Sequence, residues 1–395
     1  MNINATKRFV ARLHHYGINF VHSLIFYSGK IIGRFIFPFV LLKYRQLYIF
    51  HKSYYPECKL KSKFRIFYDQ LVYIIKKGEI NTNYFLFGFD RKDKNDFNNY
   101  VPWLIFTYYR NRRNQFVSNP IYDPYNYVSL MRDKFVFHAF CKSVGINTPE
   151  NIGLVNNNSL YLIEEKKFYH SNELINLEFD ALCKREISYG GGYSRNIFKL
   201  RIKNTEIFIN DKPSDINKLR KKIGVDRWII QKRIANQAPE YAQFHPQSIN
   251  TIRIVTLNRG NSIVVLSAIF RMGVKGSFVD NWSSGGIIVG VDLNSGTLEK
   301  WGFFRPRYGT KCDRHPESVI IFENFKLPYW QDIVRFVKQT HLLFYGIYSV
   351  GWDVCMTTDG PMLIEGNDNW DTNDTQHYRG AKDLFKTYFK RRFIG

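Results

Sequence analysis

Cysteine is scarce in this chain: five residues in 395 (Cys58, Cys141, Cys183, Cys312 and Cys355), none spaced as C-x-x-C. An odd, dispersed set excludes a disulfide framework and a thiolate zinc site, and it fits a reducing compartment. The ten histidines show no metal-ligand spacing, and His14-His15 reads as solvated surface. Long apolar runs are also missing. The best, Phe35–Leu42, is bracketed by Arg34 and Lys43 and falls short of the ~18 residues that span a bilayer. No small-residue cleavage site follows the N-terminal region, so no secretory signal is expected. There is no internal repeat and no low-complexity tail. There is also no G-x-x-x-x-G-K-S/T, which excludes a P-loop. No Ser, Cys or His stands in a convincing nucleophile–base arrangement. Acidic residues are few, 34 Asp and Glu against 57 Lys and Arg, for a net charge of +23.

What is present points to a folded protein. Hydrophobic residues make up 45% of the chain, and its length allows two or three substructures. A basic surface can serve nucleic acid, an anionic membrane or phosphorylated substrates. The joint excess of Lys, Asn, Ile, Tyr and Phe is equally what a genomic compositional bias produces. Basic residues are spread along the chain and no nucleic-acid module is recognisable, so no nucleic-acid partner is expected. Residues 1–50 mix Lys7, Arg8, Arg12, Lys30 and Arg34 with Phe20, Leu24, Ile25 and Phe26. Two readings are open: a helix on an anionic membrane surface, or an amphipathic helix packed on the protein body, the latter favoured. The expected location is cytoplasmic, with peripheral attachment at the inner membrane face as the extension of the first reading.

Residues 1–105 read as mainly helical, with helical spacing through Phe64, Phe67, Tyr68, Leu71, Ile74 and Ile75. Residues 110–126 are rich in breakers and read as a linker. A helix is expected from Ser129 to Gly145. Strand-like runs follow: Leu160–Ile163, Phe179–Cys183, Asn196–Leu200, Ile207–Ile209, Trp228–Ile230, Thr251–Leu257, Ile263–Phe270 and Gly286–Val291. A helix over Trp330–Leu343 precedes a final hairpin. The fold class is α+β: a helical region over 1–110, then 111–395, divided into 111–232 with a small lobe and 233–395 as the larger lobe.

The final hairpin carries the sharpest signal. Gly351-Trp352-Asp353-Val354 and Leu363-Ile364-Glu365-Gly366-Asn367 flank Thr358-Asp359-Gly360-Pro361, a turn signature. Paired strands would bring Asp353, Glu365 and Asn367 onto one face, a hard oxygen set suited to Mg²⁺ that also holds phosphate oxygens. Lys184 ends an apolar strand, and Gly190-Gly191-Gly192 follows. A cation before a loop whose backbone can approach closely suits a phosphate chain, though an ordinary flexible turn has the same composition. Arg253 and Arg271 lie in apolar strands, where a guanidinium needs an anionic partner, either a ligand or a structural carboxylate. Thr251 and Arg253 are expected on one face, with Ile252, Ile254 and Val255 mostly on the other. Asp280–Gly286 is a polar, glycine-closed loop.

In their order along the chain these elements resemble the ATP-grasp superfamily. Within it they resemble the sugar-transfer-associated ATP-grasp proteins related to glutamate ligases, over about residues 115–390. The resemblance rests on Ser248–Arg253, Val279–Gly286, Val350–Asp353 and Leu363–Asn367. It implies two α+β lobes sandwiching ATP. Lys134 and Lys184 would reach the phosphates, with Gly190, Gly191 and Gly192 as the flap over them. Gln231, Lys232 and Ile234 would hold adenine, Gln231 standing where many relatives have Glu. Glu240 would take the ribose. Asp353, Glu365 and Asn367 would hold Mg²⁺, and Arg253 and Arg271 would stabilise the transferring phosphoryl group. The implied activity is ATP-dependent joining of a carboxylate, on a sugar or an amino acid, to an amine. Lipid-linked polysaccharide precursors would be the context. Alternatives are a sugar kinase with Asp280 as base, and a nucleotide-binding scaffold without turnover.

Overall fold

The computed structural model describes residues 3–94, 96–114, 127–187, 196–371, 376 and 380–390. The chain opens with helices α1 (Ile3–Lys43), α2 (Arg45–Tyr48), α3 (Lys63–Lys77) and α4 (Trp103–Arg112). Ser62 caps α3 by accepting from the Arg65 N–H at 3.2 Å, and Gly78 ends it at φ 77°. A Cβ on Gly33 would come within 2.1 Å of the Gly78 carbonyl oxygen, so only glycine lets α1 cross the end of α3 this closely. The N-terminal region is mainly helical, as expected, with non-helical stretches between its helices. Residues 79–100 are mostly turns, because Phe85, Phe87 and Phe89 reach the core from turns. Helix α4 runs into the stretch expected as linker, and the rest of that stretch, 115–126, lies outside the described residues.

Helix α1 corrects two expectations. Its segment Ser23–Lys43 is long and apolar enough to cross a membrane, by length and composition, because a helix averages over Lys30 and Arg34 where a contiguous run does not. The helix is also not packed away on the body. Phe20, Ile25, Phe35 and Phe39 are exposed, Phe39 to 74%, and buried contacts are confined to a narrow side that includes Leu41.

Two antiparallel sheets follow. The first comprises β1 (Asn151–Val155), β2 (Ser159–Leu162), β3 (Lys167–His170), β4 (Phe179–Arg185), β5 (Ile197–Lys203), β6 (Glu206–Ile209), β7 (Lys212–Ser214) and β8 (Trp228–Lys232). Its order is β3-β2-β1-β8-β4-β5-β6-β7. The second comprises β9 (Thr251–Asn258), β10 (Ile263–Met272), β11 (Ile287–Val291), β12 (Leu298–Phe304), β13 (Lys311–Cys312), β14 (Ser349–Thr357) and β15 (Gly360–Asn367). Its order is β13-β12-β11-β10-β9-β14-β15. The helix expected from Ser129 is two, α5 (Ser129–Arg132) and α6 (Lys134–Ser143), broken at Asp133, whose side chain caps α6 through the Val136 N–H at 3.0 Å.

Helices α7 (Ile216–Ile223), α8 (Pro239–Ala242) and α9 (Trp330–Leu343) complete the cores. Leu219 and Ile223 of α7 pack on the first sheet. One face of the second sheet, with Ile252, Ile254 and Phe270, packs on α8, α9 and the α5–α6 pair. The other face carries Ile269, Ile288 and Phe303 against Tyr54 and Phe85 of the N-terminal region. Val255 joins Phe106 and Trp370 on that face, on the side of Arg253, because strand alternation holds without interruption through it.

Candidate active site

The final hairpin folds as its turn signal requires. Strands β14 and β15 close with Thr357 opposite Gly360, and the register sets Asp353 opposite Glu365, with a bulge directly after Asp353. The row continues across the sheet: Asp353 stands opposite Arg253, and Arg253 opposite Ile269. Arg271 and Thr251 face each other one step further along β10 and β9. Side chains two apart share a face, so Thr251, Arg253, Arg271, Asp353 and Glu365 form one polar patch on an otherwise apolar sheet.

Buried ion pairs order that patch. Asp353 is 2% exposed and takes a bidentate grip from Arg253, through Nε and, at 2.9 Å, Nη2. Arg271 adds Nη1 at 3.0 Å. Burial pushes the Asp353 carboxyl up, but the Arg253 and Arg271 guanidiniums win and hold it at about 2. Arg271 also donates Nη2 to Asp280 at 3.0 Å and to Asn281 at 2.7 Å. Its buried Nε has no partner among the described residues. Asp280 in turn accepts from the Thr251 N–H at 3.0 Å and from the Thr251 hydroxyl. Both Asp280 oxygens are therefore committed. Asp353 also lies within hydrogen-bond reach of Glu365, and Asn367 donates Nδ2 to Glu365 at 3.1 Å. Among the described residues no group of three His, Cys, Asp or Glu gathers as a metal cluster; the donor set here is two carboxylates and an amide.

Opposite this patch stand the lysines. Lys184 ends β4, and Lys134 begins α6, anchored by its N–H to the Glu186 carbonyl at 3.2 Å. Burial lowers the Lys184 ammonium to about 8. Glu365 pulls against that shift, the charge of Lys134 adds to it, and Asp353 and Asp280 oppose it more weakly. Lys184 makes no ion pair among the described residues. A cleft of about 880 Å³, counting its open mouth, joins these groups. Its walls also include the apolar Leu182, Ile197, Ile234, Ile249 and Phe278, Ile197 directly opposite Lys184. Lys134 and Glu365 also line a smaller recess of about 490 Å³ that includes Asn367.

Gln231 and Lys232 line the cleft from β8, in the middle of the first sheet. Sequence reasoning missed what holds Gln231. Its Nε2 lies 2.9 Å from Asn151 Oδ1 and 3.1 Å from His138 Nε2. The buried imidazole, whose desolvation drives its pKa down to about 3, is neutral and contacts Thr148 through Nδ1. Thr148 donates to the Leu363 carbonyl at 3.0 Å. With both amide hydrogens spent inward, Gln231 keeps Oε1 as its acceptor. His138 looked like any residue on an apolar helix stripe, so no sequence signal marked it.

The structure does not bring every expected residue together. Glu240 sits in the first turn of α8, outside the lining of the cleft, because Pro239 starts that helix beyond the hinge. Arg253 faces Asp353 and is likewise not among the lining residues. Gly190, Gly191 and Gly192 lie outside the described residues.

Two antiparallel sheets thus meet on a cleft that holds three lysines, three carboxylates and apolar walls. The chain belongs to the sugar-transfer associated ATP-grasp family, whose model matches residues 111–384. Solved structures overlap it partially. D-alanine–D-alanine ligase from Bacillus anthracis, complexed with ATP, is 12% identical with a TM-score of 0.38, over 67% of each chain. N5-carboxyaminoimidazole synthase from Aspergillus clavatus is 11% identical with a TM-score of 0.33, over 61% of this chain and 45% of that one. L-amino acid ligase from Bacillus licheniformis is 12% identical with a TM-score of 0.34, over 62% of this chain and 42% of that one. The chain thus spans less than half the length of the last two. No curated protein matches it.

Proposed function

We propose that the protein is an ATP- and Mg²⁺-dependent carboxylate–amine ligase acting through an acyl phosphate, in the assembly of a cell-surface polysaccharide. One observation carries the reading: Lys134 and Lys184 line one cleft together with Asp280, Asp353 and Glu365, beside apolar walls. Two ammonium groups facing one cleft draw an anionic ligand to it, and a triphosphate supplies one. Asp353 and Glu365, side by side with the Asn367 amide, likewise fit a divalent cation between them, and the arginines keep Asp353 ionised for it. Asp353, Glu365 and Asn367 would hold that ion, which would neutralise charge on the phosphate oxygens.

In the proposed reaction the acceptor carboxylate oxygen attacks the γ-phosphorus. The bond from that phosphorus to the bridging oxygen breaks, and ADP leaves with the electron pair. The amine nitrogen then attacks the acyl carbon, inorganic phosphate departs, and the nitrogen gives up a proton. Lys134 and Lys184 orient the phosphates and offset developing charge. Arg271, with an unpartnered Nε, faces the same space. The Gln231 amide oxygen, its nitrogen engaged by Asn151 and His138, would accept from the adenine amino group.

The sugar context rests on the family, an associational warrant. The exposed apolar side of α1 would hold the protein at a membrane that carries lipid-linked precursors. In the kinase alternative the base would be Asp280, whose oxygens accept from Arg271 and Thr251.

The test is incubation with ATP, Mg²⁺ and a pool of uronic acids, amino sugars and amino acids, followed by phosphate release and product mass. Amide with ADP and free phosphate is the expected result. A phosphorylated sugar without phosphate release would establish the kinase, and bound nucleotide without ADP the scaffold. Glu365→Gln is expected to abolish turnover while leaving the fold intact; wild-type rates from it would overturn the metal assignment.

A further inference from the structure

A second cleft, of about 1520 Å³ counting its mouth, lies between the N-terminal helical region and the second sheet. The N-terminal region supplies Tyr48 from the end of α2 and Trp103 from the start of α4. Trp282 comes from the loop after β10, and Arg305, Arg307 and Tyr308 from the turn after β12. Its aromatic walls are held. The Trp282 indole N–H donates to the Phe303 carbonyl at 3.0 Å. Tyr308 lies against Gly285, where an added Cβ would come within 2.9 Å of the ring. Trp103 and Tyr308 remain about half exposed, at 50% and 49%.

The charges of this cleft are unbalanced. Neither Arg305 nor Arg307 makes an ion pair or a side-chain hydrogen bond among the described residues. Among the described residues the acidic lining residue is Asp371, which already has an interaction of its own. Two guanidiniums beside four aromatic rings match a ligand with apolar C–H faces and an oxyanion. The cleft also adjoins the first one. Asp280 and Asn281 line the ATP-side cleft, and the next two residues, Trp282 and Ser283, line this one.

We propose that this second cleft binds the acceptor: a saccharide bearing a carboxylate or phosphate, its ring on the aromatic walls and its oxyanion on Arg305 and Arg307. This assignment rests on the ligase reading for its role, but binding alone tests it.

The experiment titrates the full chain, without nucleotide, with glucuronate, glucose 1-phosphate, glucose and inorganic phosphate, following intrinsic tryptophan fluorescence. ATP affinity is measured on the same sample. The expected result is a saturable change with glucuronate or glucose 1-phosphate, at least tenfold tighter than with glucose or inorganic phosphate. Which charged sugar binds identifies the oxyanion. The double variant R305Q/R307Q is expected to lose roughly ten- to a hundredfold in that affinity, the worth of charge-assisted hydrogen bonds, with ATP affinity unchanged. Equal binding of glucose, no saturable response to either charged sugar, or a double variant within twofold of wild type would each overturn the proposal. Loss of ATP binding in the wild type would instead overturn the ligase reading and leave this one standing.

Discussion

Asp353→Asn separates the two jobs assigned to Asp353, and its magnitude follows from the geometry. The carboxylate is buried and takes hydrogen bonds from Arg253 and Arg271. Its pKa falls from 3.8 to about 2, which by linkage corresponds to roughly 2–3 kcal/mol of stability at neutral pH. Removing one member of a buried pair costs about 3–5 kcal/mol, because the remaining charge is stranded. Here Asp280 still holds Arg271, so the lower figure applies. The variant should lose about 3 kcal/mol, a fall in Tm of about 5–10 °C for a lobe of this size. The sign with pH is fixed. A depressed carboxyl contributes its stability above the unfolded value and loses it as pH falls through the folded one. The gap between wild type and Asp353→Asn should therefore be constant from pH 5 to 8 and close toward pH 2. Glu365→Gln, half-buried and without an ion pair, should stay within about 0.5 kcal/mol of wild type. Thermal and urea unfolding of the three proteins decide it. A loss below about 1 kcal/mol for Asp353→Asn would refute the claim that the arginines are held by this carboxylate.

Three further outcomes are expected. ATP binding near pH 8 should take up as much as about half a proton, because a phosphate beside Lys184 raises an ammonium that titrates at about 8; calorimetry in buffers of different ionisation enthalpy reads this, and Lys184→Met should abolish it. Glu79 is buried and accepts from the Trp103 and Leu104 N–H groups at 2.8 and 2.7 Å, and burial lifts its carboxyl to about 7. A raised carboxyl gives its stability below the unfolded value and loses it as pH climbs through the folded one, here about 3 kcal/mol, so melting at pH 5 and pH 8 should differ more in wild type than in Glu79→Gln. Gly78→Ala forces a side chain into φ 77° and brings its Cβ to 2.5 Å from the Lys30 carbonyl oxygen, and urea unfolding should show about 1–3 kcal/mol lost.

Local chemistry was legible where it is written in local sequence. The Thr358–Pro361 turn announced the hairpin, and strand alternation put Arg253 with Thr251. The Trp330–Leu343 helix carries its own apolar spacing, and its observed bounds are the expected ones. What escaped was set by distance along the chain. Nothing near Arg253 says that its partner is Asp353, a hundred residues on. Nothing near Gln231 points to His138, or near Trp282 to Tyr48. Glu240 was expected from the resemblance alone, and it stands in the first turn of α8, outside the cleft lining. The exposed side of α1 was misjudged because amphipathic spacing reads alike whether the apolar face meets protein or not.

The crossing at Gly33 and Gly78 has a practical consequence for anyone preparing this molecule. Removing residues 1–43 to improve handling would do more than discard a greasy rod. It would strip Leu41 from the interior, the Arg34 bond to the Ile75 carbonyl at 2.8 Å, and the Ser23 hydroxyl from Tyr108 at 2.7 Å. Helices α3 and α4 would each lose a lateral support; Glu79 lies just after α3, and Trp103 begins α4. A shortened version should therefore be cut before Ser23, or carry replacements for what the rod was touching.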